Sequence, residues 1–89
     1  MKFFSIHLEG HGLTGGEYSF FTKLLAFSAS DAADARHKAI QFTREQWTVG
    51  PYREFSSTEP VLRIDEIREI GFFAYLKLRK SKHGHIFVR

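Results

Sequence analysis

The chain has 89 residues, 43% of them hydrophobic and 16% aromatic, which is enough apolar surface for one folded core in a chain too short for two. Cysteine is absent, and that excludes disulfides, thiolate metal sites and cysteine nucleophiles together. The net charge is +3 but unevenly placed. Residues 1–76 carry eight basic and ten acidic side chains, whereas residues 77–89 carry Lys77, Arg79, Lys80, Lys82 and Arg89 with no acid.

Asparagine is absent as well, so no N-glycosylation acceptor exists. The opening stretch meets His7 and Glu9 too early to form the apolar region of a signal peptide. No apolar run approaches the roughly 20 residues that a membrane helix requires. A cytoplasmic chain of one domain, 1–89, without a membrane partner is the expectation.

The first predicted element is a strand from Lys2 to Glu9. Phe4, Ile6 and Leu8 alternate with Ser5, His7 and Glu9, the period of two that buries one face of a strand. Four glycines in the seven residues Gly10 to Gly16 predict a flexible turn. Tyr18 to Phe27 reads as the second strand of a hairpin, but both of its faces are apolar, so its register stays open.

A helix is predicted from about Asp31 to Trp47, with Ser30 as its N-cap and Asp31 and Asp34 set against the positive end of the helix dipole. Ala32, Ala33, Ala35, Ala39, Ile40, Phe42 and Trp47 fill one half of the helical wheel. Asp34, His37, Lys38, Gln41, Arg44 and Glu45 fill the other. Gly50-Pro51 stops the helix, and Tyr52 to Glu59 reads as a loop.

Val61 to Ile70 satisfies two patterns. Leu62 and Ile64 alternate as in a strand, whereas Ile64, Ile67 and Ile70 recur every third residue as in a helix. Its content of Val and Ile favours a strand, bulged after Asp65. Phe72 to Arg79 reads as a strand with Ala74, Leu76 and Leu78 inward and Tyr75, Lys77 and Arg79 outward. Lys80 to Gly84 then makes a turn, and His85 to Arg89 a short last strand. The expected fold is α+β: an antiparallel sheet of four to five strands with one amphipathic helix on one face, in the order ββαβββ.

Few motifs carry chemistry. Gly10-His-Gly12-Leu-Thr-Gly15 matches the glycine spacing of dinucleotide-binding turns, with Asp31 at a suitable distance. The β-favouring Tyr18-Ser-Phe-Phe-Thr stands where that motif needs a helix, however, and the chain is too short for the doubly wound sheet. Among the five histidines, His83 and His85 could chelate with His7 or His11 if the terminal strands are neighbours, but metal sites usually add carboxylate or thiolate ligands, and histidines on a surface turn are the simpler reading. No metal site and no cofactor are expected. Asp65, Glu66 and Glu69 alternate with Arg63 and Arg68 and read as a solvated face of mixed charge. No serine lies in a nucleophile elbow, so an enzyme is not expected.

His83-Gly-His85-Ile-Phe87 resembles the histidine-centred strand of small toxin ribonucleases with the double-stranded-RNA-binding fold. It covers five residues, and that family's helix–strand order differs from the one read here, so no site residue transfers.

The basic C-terminal hairpin is the candidate contact surface, formed by Tyr75, Lys77, Arg79, Lys80, Lys82 and His83. Cations beside an exposed aromatic suit a nucleic-acid backbone with stacked bases. They equally suit an acidic protein surface, and lysines on a sheet edge also prevent strand aggregation. In size and element order the chain resembles several small phage-encoded inhibitors, anti-CRISPR proteins among them. That likeness implies a non-enzymatic module that inhibits or regulates a protein partner. A nucleic-acid-binding module is the alternative.

Overall fold

The computed structural model describes residues 1–14, 18–49, 60–80 and 86–88, excepting the side chains at 48, 49 and 80. The first strand, β1 (Lys2–His11), follows the predicted alternation: Phe4, Ile6 and Leu8 are buried. Gly10 continues their row because the ring of Phe21, its partner on β2 (Phe20–Ala29), lies over it. A Cβ at Gly10 would collide with that ring. The connection leaves β1 through Gly12, whose φ of +79° is the left-handed conformation that glycine adopts without strain. Two of the three glycines of the dinucleotide-like motif are thereby accounted for by packing and by a turn. A strand follows them where a nucleotide site would need a helix.

The pairing of β1 with β2 sets the register that the sequence left open. Phe21, Lys23, Leu25, Phe27 and Ala29 share the face of Phe4, Ile6 and Leu8, and Phe20, Thr22, Leu24, Ala26 and Ser28 share the other. On the first face lies α1 (Ala32–Val49), close to its predicted extent. Its N-cap is Asp31 and not Ser30: the Asp34 amide donates to Asp31 Oδ1 at 2.8 Å, and the Ala35 amide to the Asp31 carbonyl. Asp34 Oδ2 reaches back to accept from the Ser30 amide at 3.0 Å, a reciprocal arrangement like a capping box. That amide, helped by the Lys38 ammonium 3.3 Å away, holds the Asp34 carboxyl below the usual carboxylate value.

Ala35, Ala39 and Trp47 bury the inner face of α1 against the sheet, and Trp47 stacks on Phe21 at 5.6 Å between centroids. Thr43 is fully buried among them because its hydroxyl donates to the Ala39 carbonyl at 2.9 Å. Phe42, expected inward, is 39% exposed and meets Phe27 edge-on at the rim. Ala32 and Ala33 are also exposed.

The ambiguous segment is β3 (Val61–Ile70), an antiparallel neighbour of β1. Its register shifts between His7 and Leu8: His7 pairs with Glu66 and Leu8 with Ile64, which leaves Asp65 as the extra residue of a bulge. The bulge explains the double pattern. Alternation changes phase there, so Leu62 and Ile64 before it and Ile67 after it reach the same face. With β4 (Ile86–Val88) beside β2, the sheet order is β3-β1-β2-β4, all antiparallel.

Phe72 to Arg79 corrects the sequence reading. It forms α2 (Phe72–Lys80), opened by the Tyr75 amide donating to the Gly71 carbonyl at 3.0 Å. Among the described residues the order is therefore ββαβαβ with four strands, not ββαβββ. The residues themselves give the reason: Ala74, Leu76, Lys77, Leu78, Arg79 and Lys80 are all strong helix formers. Over nine residues, alternation and helical spacing select nearly the same apolar positions. Phe3, on the sheet face opposite Phe4, meets Phe72 at 5.4 Å and Tyr75 at 4.7 Å. Hence α2 covers part of the face that α1 leaves open. No helix among the described residues is long and apolar enough to cross a membrane.

Candidate partner-binding surface

The predicted contact residues are distributed differently from the expected strand. Tyr75 is buried at 9% exposure, its ring against Phe3, so it is an anchor of α2 and not an exposed stacking platform. Lys77 and Arg79 are both exposed, but two positions along a helix point to different sides, whereas on a strand they would share one. The side chain of Lys80, and Lys82 and His83 entirely, lie outside the described residues, as do Arg89, the predicted helix stop at Gly50-Pro51 and the Tyr52 to Glu59 loop. The basic segment thus begins on a helix and not in a hairpin.

Helical spacing assembles a different surface. Tyr75, Leu76 and Leu78 turn towards the sheet, being buried or half-buried. Phe73 is 84% exposed and Phe72 51% exposed at the first turn. Lys77, four residues after Phe73, occupies the same face one turn on. An aromatic ring set almost wholly in water and followed by a cation is the principal feature of this face. Its signal in the sequence was present, since a helical wheel of Phe72 to Lys80 separates Phe73 and Lys77 from Tyr75 and Leu78. The strand assignment hid it.

Along the middle of β1 and β3 this sheet face carries Ser5, His7, Glu9, Arg63, Glu66 and Arg68, the mixed charge read in β3, and it is more ordered than a merely solvated face. His7 Nδ1 donates to Asp65 Oδ2 at 2.8 Å and Arg68 Nη2 to Glu66 Oε1 at 2.7 Å, whereas Glu69, in register with Phe4, turns to the opposite face and lies 3.7 Å from Lys2 Nζ there. The bulge matters here, because the extra residue it adds to β3 is the one that pairs with His7. Farther along β1, His11 stacks on Phe20 at 5.1 Å and its Nε2 is 3.4 Å from Glu9. Among the described residues no three of these His and carboxylate groups converge as a metal site.

The other face buries a charged group that the sequence did not single out. Lys23 points towards α1 with 4% exposure; its Nζ donates to Gln46 Oε1 and lies 5.1 Å from the centre of the Phe42 ring. Burial lowers its pKa from 10.5 to about 8. Because Tyr18 to Phe27 is apolar on both faces, nothing in the pattern marked Lys23 as an inward residue. Comparison with protein-family models, curated proteins and solved structures gives no match for this chain.

Proposed function

We propose that the protein is a small non-enzymatic binding module that inhibits or regulates a protein partner, with the outer face of α2 as its contact surface. The exposure of Phe73 beside Lys77 carries this reading. Large aromatic side chains anchored on a rigid element are the usual energetic centres of protein interfaces. A helix fixed by Tyr75 against Phe3 presents its ring without first having to order a loop. The acid-free, basic sequence from Lys77 onward adds attraction towards an acidic partner. The likeness to small phage-encoded inhibitors, anti-CRISPR proteins among them, is one of size and element class, and it suggests inhibition as the mode of action.

The test is affinity capture with the parent protein and with a Phe73→Ser, Lys77→Glu variant whose circular dichroism matches the parent. One protein retained in stoichiometric amount by the parent and lost by the variant supports the proposal. Retention that disappears on nuclease treatment instead moves the surface to a nucleic acid, whose bases would stack on Phe73. Equal capture by both proteins removes α2 from the interface.

A further inference from the structure

Beside α2 the sheet carries a cleft of about 250 Å³ lined by Ser5, His7, Leu24, Glu66, Arg68 and Leu78. We infer that this cleft binds a free α-amino acid with an apolar side chain, a ligand independent of any partner docking on the outer face of α2.

The floor is a small grid set by strand register. Ser5 pairs with Arg68, His7 with Glu66, and His7 with Leu24 on its other side. Along β1, then, a position rich in donors stands two residues from one rich in acceptors. The guanidinium of Arg68 and the hydroxyl of Ser5 form the donor side. The carboxylate of Glu66 and the imidazole of His7 form the acceptor side. Asp65 fixes His7 for this role: with Nδ1–H donating to Asp65 Oδ2, the neutral ring keeps its lone pair on Nε2. Among the described residues that nitrogen has no partner.

The charged tips of Arg68 and Glu66 meet at 2.7 Å. They meet at one point of the cleft, so a cation and an anion stand side by side there, complementary in sign to the two charged groups on one α-carbon. Both side chains are largely exposed, 70% and 55%, and an exposed ion pair of this kind is worth little, so opening it costs little. A zwitterion entering between them exchanges one ion pair for two. Its carboxylate takes the fork of Arg68, which matches a carboxylate in bidentate geometry, and its ammonium takes Glu66 with His7 Nε2. Leu24 from the sheet and Leu78 from α2 supply the apolar wall for the side chain. The volume suits a single amino acid and is small for a longer ligand.

The experiment is an NMR titration of uniformly 15N-labelled protein with L-leucine, 4-methylpentanoic acid and 3-methylbutylamine, the last two lacking the ammonium and the carboxylate. Leucine should give saturable shifts at the amides of residues 5, 7, 24, 66, 68 and 78 with a Kd near or below about 1 mM. Each analogue should bind about tenfold or more weakly, since each leaves one charged group of the cleft without its partner. In Arg68→Met, leucine should lose its advantage over the amine, and in Glu66→Gln its advantage over the acid. Both positions are exposed, so neither change should unfold the chain. Shifts that fail to saturate, or equal binding of leucine and both analogues to the parent, would overturn the inference.

Discussion

The two faces of the sheet use the same strands but were built under different rules. On the α1 side, Phe4, Ile6, Leu8, Phe21, Ala35, Ala39 and Trp47 exclude water almost completely. On the α2 side, alternate residues of those strands are half-buried or polar, a short helix covers only part of the face, and two phenylalanines remain in water. The α1 face supplies the apolar burial that holds the fold. The α2 face, relieved of that task, is where charges, a cleft and an exposed aromatic can be kept.

This division makes unequal demands on substitutions. The largest effect belongs to the dry face: Ile6→Ala should destabilise by about 2–5 kcal/mol, because Ile6 is fully buried between its neighbours and α1. A urea midpoint within error of the parent would break the assignment of that face as the core.

Lys23 is the exception on the dry face, and it sharpens the comparison. Its folded pKa is about 8 against 10.5 for an ordinary lysine. Below pH 8 it is charged in both states, and between about 8 and 10.5 only the unfolded chain keeps the proton. Stability should therefore rise as pH increases through that window. Lys23→Met should remove the rise and add about 1–3 kcal/mol at neutral pH, the scale on which a buried polar group is unfavourable. Thermal midpoints measured from pH 7 to 10 decide this; parallel curves for parent and variant would show that Lys23 does not titrate in that window.

Asp31→Ala should destabilise by about 1 kcal/mol, since it leaves the Asp34 amide without its cap. Ser30→Ala, by the same chemical-denaturation measurement, should have a smaller effect, because the Asp34 carboxylate still receives the Ser30 backbone amide. Equal losses would return the cap to Ser30.

What could be read in advance follows the same line between the faces. Where burial is one-sided, the apolar pattern locates the element: β1 and α1 were legible, although Phe42 was read inward and lies at the rim. Val61–Ile70 fitted strand and helix alike, because the bulge at Asp65 changes the phase of alternation between Ile64 and Ile67. Where burial is two-sided or partial, the pattern fails. Phe20–Ala29 meets a helix on each face, so its apolar residues carried no register and concealed Lys23. In Phe72–Lys80 the few inward residues fit strand and helix alike, and Tyr75 changed from exposed to buried with that choice. Thr43 escaped a reading based on hydrophobicity because a hydrogen bond to the helix backbone lets a hydroxyl be buried. The grouping of Ser5, His7, Glu66 and Arg68 depends on strand pairing, which no local pattern contains.

The smallest expected effect on stability is the most informative about function. Phe73→Ser should change the urea midpoint by no more than about 0.5 kcal/mol equivalent, since the ring is 84% exposed. Measuring that midpoint and partner capture on the same preparation tests the division between the faces most directly. The expected result is an unchanged midpoint with capture lost. A midpoint that falls as far as that of Ile6→Ala, or capture that persists in the variant, would contradict it.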